Sequence, residues 1–308
     1  MEKRVLISGG NGFLGSYLAE KFLEENFLVT IVDDQSTSKR KNLPDNIEFV
    51  KEKIENYDDS RKYDFVIHLA ARPSPEDYIS HPVDTILSNS LGTLRMLERA
   101  RKGDSIFMYT SSSEIYGEAS IIPTPEDYYG YVNPNGIRSC YDEGKRFSEA
   151  LIMAYYREYG LDVRIQRPFN VYGPRIREDG QYGRVIPRFI AQALKNEPLT
   201  VHGDGMQTRA FLYITDWLEA TWKFLTGKYK GEIINIGSDK EIAIIDLAKK
   251  IILLTGSNSD IVFLPRRQDD PTRRAADIRK AKKLLNWEQK IDLDEGLKKT
   301  IDWFRVRL

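Results

Sequence analysis

Cysteine is almost absent. The single Cys140 in 308 residues cannot build an internal disulfide framework, which suits a reducing compartment. Histidine is nearly as scarce: His68, His81 and His202 are scattered, without clustered cysteines or short ligand spacing, so no metal site is expected. Net charge is absent too. Forty-six basic residues balance forty-six acidic ones, and no long block of one sign gives nucleic acid or an anionic membrane an electrostatic handle. No apolar run approaches membrane-spanning length, and a core-like strand begins within a few residues of Met1, so neither a spanning helix nor a signal peptide is expected. These absences point to a cytoplasmic protein whose partner is a small molecule. Internal repeats and low-complexity stretches are lacking as well.

What is present begins at the amino terminus. Arg4-Val-Leu-Ile-Ser8 is short, apolar and β-branched, as a buried strand requires, and Leu14 to Phe27 has helical apolar spacing. Gly9-Gly-Asn-Gly12-Phe13-Leu14-Gly15 therefore sits at a strand-to-helix turn. There its glycines would allow a tight turn, close approach of a pyrophosphate, and packing of helix on strand. The second strand, Leu28 to Val32, runs into Asp33, placed to accept a ribose 2′-hydroxyl and to repel a 2′-phosphate. This favours NAD, with NADP left open by Lys39, Arg40 and Lys41.

Further strands are expected at 47–50, 65–69, 105–110 and 163–167, alternating with helices at 84–101 and 141–159. Such alternation implies an α/β fold, a Rossmann-type doubly wound parallel sheet. From Pro168 onward, loops rich in Gly and Pro separate shorter elements. Residues 1–167 are accordingly expected to form the cofactor-binding domain and 168–308 mainly a smaller substrate-binding domain. Strands at 210–214 and 233–236 are expected to return to the first part.

A second motif lies about 130 residues beyond the glycines. Tyr141 and Lys145 are four apart on an expected helix, hence on one face, where an ammonium would favour the phenolate form of the tyrosine. Tyr141 could then take a proton from a hydroxyl as hydride leaves the same carbon.

With His68-Leu69-Ala70-Ala71, Asn89-Ser-Leu-Gly92-Thr93 and Ser111-Ser-Ser113-Glu114-Ile-Tyr116-Gly117, these motifs resemble the extended short-chain dehydrogenase/reductases that act on nucleotide sugars. The resemblance covers nearly the whole chain. It is strongest to the UDP-glucuronate decarboxylase (UDP-xylose synthase) branch, through Asn133-Pro134-Asn-Gly136, Cys140-Tyr-Asp-Glu-Gly-Lys-Arg146, Tyr172-Gly-Pro-Arg175, Gly205-Met-Gln-Thr-Arg209 and Gln268-Asp-Asp-Pro271.

The resemblance implies that NAD oxidises carbon 4 of a UDP-sugar, with Tyr141 as base and Lys145 tuning it. Loss of carbon dioxide and return of hydride would follow. It implies cofactor contacts from Gly9, Gly12, Phe13, Leu14, Asp33, Leu69, Ala70, Asn89, Tyr141 and Lys145. Catalytic roles fall to Ser113, Glu114 and Arg274 beside Tyr141 and Lys145, and substrate contacts to Tyr78, Asn170, Val185, Arg209 and Arg274. A homodimer formed through a helix bundle is implied as well.

Glu114 separates the sister activities in this resemblance. A 4-epimerase has small neutral residues there and a 4,6-dehydratase an adjacent Asp-Glu pair, whereas Ser113-Glu114 matches the decarboxylase pattern. Both sister activities, and a non-catalytic NAD-binding regulator, remain the alternatives. Three departures bear on specificity: Lys53-Ile54 where an acid usually precedes the adenine contact, Arg72 in place of a proline, and a longer loop from Arg177 to Tyr182.

Overall fold

The computed structural model describes residues 2–38, 43–178, 180 and 183–308. In the order of the chain, the first half contains β1 (Arg4–Ser8), α1 (Phe13–Glu24), β2 (Leu28–Val32), β3 (Glu48–Val50), β4 (Phe65–His68), α2 (Pro75–Ser80), α3 (Pro82–Gly103), β5 (Ile106–Thr110), α4 (Ser139–Tyr159) and β6 (Val163–Pro168). A 3-10 turn, Ser113–Tyr116, follows β5. The second half contains β7 (Val171–Tyr172), α5 (Val185–Leu194), β8 (Leu199–His202), β9 (Thr208–Ala210), β10 (Leu212–Tyr213), α6 (Ile214–Thr226) and β11 (Ile233–Ile236). It closes with β12 (Glu241–Ala243), α7 (Ile244–Thr255), β13 (Ile261–Leu264), β14 (Arg273–Arg274), α8 (Arg279–Leu285) and α9 (Leu293–Arg305).

Seven strands form one sheet in the order β11-β6-β5-β4-β1-β2-β3, all parallel. The order reverses beside β1, so a crevice opens beyond the carboxyl ends of β1 and β4, where ligands of doubly wound sheets bind. Both faces are covered, which is why the strands read as continuous apolar runs rather than as alternating ones. The two-residue period still decides which layer each side chain enters. Val5 and Ile7 pack with Phe22, Trp217 and Phe224 of α1 and α6, while Leu6 packs with Met96, Leu97 and Ile152 of α3 and α4.

Two expectations need correction. β11 does join the main sheet beside β6, but residues 210–214 do not form one returning strand. Thr208–Ala210 pairs with β12 and β14, Leu212–Tyr213 pairs with β7 in a separate two-stranded sheet, and α6 begins at Ile214. The switch of partners at Phe211 leaves the apolar pattern unbroken. β4 also stops at His68, one residue earlier than expected; there the imidazole is held inside, with Nδ1 2.7 Å from Ser8 Oγ and Nε2 3.1 Å from Thr93 Oγ1. Full burial, with the nearby Lys145, pushes this imidazole down to about 3, so it serves as a neutral tie between β1, β4 and α3.

A buried ion pair ties α4 to β6. Arg167 donates from Nε to Glu149 Oε1 at 3.0 Å and from Nη2 to Oε2 at 2.6 Å, and both side chains are buried.

Candidate active site

A cleft of about 600 Å³ runs along the carboxyl ends of the strands. Gly9, Gly12, Phe13, Leu14, Asp33, Leu69, Ala70, Tyr78, Ser113, Glu114, Tyr141, Lys145, Asn170, Val185 and Arg209 all line it. The glycine turn is built as its sequence requires. Gly9 has φ +71°, and a Cβ there would lie 2.6 Å from the Ala70 nitrogen; a Cβ on Gly15 would lie 2.3 Å from the Gly9 carbonyl oxygen. Helix α1 therefore sits directly on the turn, and no side chain among the described residues caps its amino end. Its unpaired N–H groups and dipole suit a pyrophosphate. At the end of β2, Asp33 accepts N–H bonds from Gln35 at 2.8 Å and Asn11 at 3.0 Å, which counter the rise in pKa caused by burial.

Two expected site residues do not reach the cleft. Asn89 is fully buried behind it, donating to the Thr85 carbonyl and accepting from the Tyr109 hydroxyl, so it fixes α3 against the sheet. Arg274 is also buried. Its guanidinium bonds the Ser113 carbonyl and lies 3.2 Å from Glu114 Oε2, so it acts on the site through Glu114.

Tyr141 and Lys145 lie in the first turns of α4. Tyr141 is 5% exposed and stacks on Tyr78, with ring centroids 5.4 Å apart and planes 18° apart. Burial raises its pKa, opposed by a hydrogen bond with the Ser112 side chain, so the phenol is protonated at neutral pH. The ammonium pull expected from the spacing is not among the leading influences. Lys145 donates to the Thr110 carbonyl at 2.9 Å and lies 5.7 Å from the Tyr141 ring centre, and burial pushes it down to about 7. Ser112 stands beside the phenol, while Ser113, expected to have a catalytic role, lines the same cleft with its carbonyl engaged by Arg274.

Glu114 is clamped from two sides, with Arg138 and Arg274 both binding Oε2. Burial would raise this carboxyl, but Arg274, Arg138 and Arg209 outweigh it and hold Glu114 ionised, well below the usual carboxylate range. Arg138 extends the network, with Nε 3.8 Å from Asp142 Oδ2 and Nη1 3.6 Å from Asp270 Oδ1. Asp270 in turn meets Arg209 at 2.9 Å. Arg138, Asp142 and Ser112 were missed by sequence reasoning. The one available signal was an arginine three residues before Tyr141, on the same side of the coming helix turn.

The departures in sequence also fall around the cleft. Lys53 and Arg72 both line it and share one carboxylate, Asp84, at 3.2 and 3.5 Å. Arg177 reaches the Thr37 carbonyl and Asp77, each at 2.5 Å. Asp179, Gln181 and Tyr182 of the longer loop, and Lys39, Arg40 and Lys41, lie outside the described residues. Among the described residues no group of His, Cys, Asp and Glu could hold a metal ion, and no helix is long and apolar enough to cross a membrane.

A model of the family described as "NAD dependent epimerase/dehydratase family" matches residues 5–237. The chain belongs to this family. It is 42% identical to UDP-glucuronic acid decarboxylase 1 of Xenopus tropicalis over 99% of this chain and 73% of that protein. The same identity holds with UDP-glucuronic acid decarboxylase 3 of Arabidopsis thaliana, over 99% of this chain and 90% of the relative. Among solved structures, the UDP-glucose 4-epimerase of Thermotoga maritima superposes with a TM-score of 0.92 at 31% identity, covering 99% of both chains. The UDP-glucuronic acid 4-epimerase of Bacillus cereus, solved as a mutant in complex with NAD and a fluorinated UDP-glucuronic acid, gives 0.89 at 30% identity over 99% of this chain and all of the other. NAD is the family's cofactor. The residues here fit it: the amino end of α1 would receive its phosphates, Asp33 suits a ribose, and the buried Ser111 hydroxyl, also lining the cleft, lacks a partner among the described residues.

Proposed function

We propose that the chain is a UDP-glucuronate decarboxylase that forms UDP-xylose, working as a cytoplasmic homodimer with residues 1–167 binding the cofactor and 168–308 mainly the sugar nucleotide. The observation that carries this reading is Glu114, a lone carboxylate kept ionised by Arg138 and Arg274 at the edge of the Tyr141 pocket. It has no acidic neighbour on the turn with which to share the two proton transfers of a dehydration.

Bound NAD supplies a hydride acceptor for carbon 4, returns the hydride later, and brings positive charge into the cavity. The positive charge that bound NAD would bring favours phenolate over the phenol of the free protein, so Tyr141 would lose its proton to solvent on cofactor binding. It could then take the proton from the carbon 4 hydroxyl, with Ser112 stabilising the phenolate through its hydrogen bond. The resulting 4-keto sugar carries its carboxylate on the adjacent carbon, so carbon dioxide can leave with its bonding electrons delocalised into an enolate. The Tyr141 hydroxyl, now protonated, then donates to the enolate oxygen. Glu114 stays negative throughout. It therefore favours the departure of a like charge as neutral carbon dioxide, and it can orient a water for protonation at carbon 5. Tyr78 packs on Tyr141, and its buried hydroxyl has no partner among the described residues, which suits a contact with the sugar. Arg209 offers paired donors to the diphosphate.

The dimer reading rests on α3 and α4. They pack on each other yet leave Val83, Leu91 and Phe147 at 66, 47 and 51% exposure, an apolar surface that a second copy would cover to make a bundle.

Offering UDP-glucuronate, UDP-glucose and UDP-galactose separately, with product identification, tests the assignment. UDP-xylose from the first and no product from the others is expected. UDP-galacturonate from the first would mark an epimerase, and a 4-keto-6-deoxy sugar from UDP-glucose a dehydratase.

A further inference from the structure

Asp142 is a carboxyl that the mechanism above does not use. It follows Tyr141 directly on α4, is 6% exposed, and does not line the cleft. Its Oδ1 has no hydrogen-bond partner among the described residues, while Oδ2 lies 3.8 Å from the Arg138 guanidinium that also binds Glu114. A buried carboxylate with an orphaned oxygen is a costly ion. Asp142 is therefore readily neutralised, and burial together with repulsion from Glu114 pushes it up to about 7, against the pull of Arg138 and Arg274.

The surrounding charges define what its proton would do. Glu114 faces Asp142 from the 3-10 turn, Arg138 and Glu143 from its own helix region, and Arg274 from β14, while Tyr78 and Tyr141 contribute neutral phenols. Asp270 and Arg209 are linked to it through Arg138. With Asp142 ionised, the three arginines 138, 209 and 274 are matched by three carboxylates, 114, 142 and 270. With Asp142 protonated, the cluster carries one excess positive charge. That is the complement of one incoming carboxylate.

We propose that Asp142 is a proton-linked positioning residue: it takes up one proton when a carboxylate-bearing nucleotide sugar docks beside Glu114, and releases it once the carboxylate has left. The proton comes from solvent onto Asp142 and goes back to solvent; no bond of the sugar is involved. While Asp142 is neutral, Arg138 is shared only between Glu114 and Asp270. The inference rests on the decarboxylase reading, because only a substrate with a carboxylate supplies the charge.

The test is titration calorimetry on holoenzyme carrying NADH, which cannot oxidise the sugar, at about pH 8 in buffers of different ionisation enthalpy. UDP-glucuronate should bind with uptake of about one proton per site, and its affinity should fall by up to roughly tenfold per pH unit above neutrality. UDP-xylose, without the carboxylate, should bind with much less uptake. Lys145 also titrates nearby, and Asp142→Asn, which leaves Lys145 in place, separates its contribution from that of Asp142. Asp142→Asn should abolish that difference while still binding UDP-glucuronate. Equal proton uptake for the two ligands in the unmodified protein would overturn the inference, even if the variant did not fold. The same holds if the variant retains the difference. Failure of UDP-glucuronate to bind at all would instead sink the decarboxylase reading, and this inference with it.

Discussion

Replacing Lys145 by Met should make the cofactor-free protein more stable while removing its activity. The side chain is 2% exposed, and its hydrogen bond runs from Nζ to the Thr110 carbonyl. Burial lowers its pKa from 10.5 to about 7, so at neutral pH the fold forgoes protonation that the unfolded chain enjoys, a cost of about 4 kcal/mol. Met keeps the length of the stem but leaves the Thr110 carbonyl without its donor, a loss of about 1–2 kcal/mol. The net gain should be about 2–3 kcal/mol in urea unfolding at pH 7. The pH dependence has a definite sign. Between about pH 7 and 10 the unfolded chain holds a proton at Lys145 that the folded protein has lost, so the stability of the parent should rise with pH by up to about 1.4 kcal/mol per unit. That rise should flatten in Lys145→Met. A variant less stable than the parent, or one with the same pH slope, would refute the claim that a buried, destabilised lysine is kept for function.

Tyr141→Phe keeps the stack on Tyr78 but removes the acid-base group, so kcat should fall by about 10²-fold or more with little change in UDP-glucuronate binding; near-normal turnover would remove Tyr141 from the reaction. Asp33→Ala should narrow the preference for NAD over NADP in direct binding, and equal affinities in the unmodified protein would contradict the role given to Asp33. Glu149→Ala strands the Arg167 guanidinium in the core and should cost about 3–5 kcal/mol in denaturant unfolding. A loss below about 1 kcal/mol would show that solvent or another group compensates the arginine.

The parts of the site that depend on local geometry were legible in the residues themselves. Gly9 to Gly15 and Asp33 occupy fixed places on a strand-turn-helix unit, and Tyr141 and Lys145 share a helix face because they are four apart. The charge network was not legible, since Arg138, Asp270 and Arg209 meet only when the start of α4, the 265–272 segment and β9 converge in space. The motif around Arg274 points to the active site but not to its depth, which depends on β14 pairing with β9 and puts the side chain behind Glu114. Asn89 shows the reverse limit. Its motif points to the cofactor, yet on the buried face of α3 its amide is spent on Thr85 and Tyr109. The break at Phe211 was invisible for a third reason: an apolar run looks the same whether it stays in one sheet or changes partners.

In the proposed reaction one bound cofactor would oxidise carbon 4, remain bound while carbon dioxide leaves, and return hydride to the same carbon. UDP-glucuronate carrying deuterium at carbon 4 and a carbon label in its carboxylate tests it directly. Labelled carbon dioxide and UDP-xylose in equal amounts, deuterium retained at carbon 4, and no net consumption of NAD are expected. Recovery of the carbon label in a nucleotide-linked uronic acid, or loss of deuterium to solvent, would contradict it.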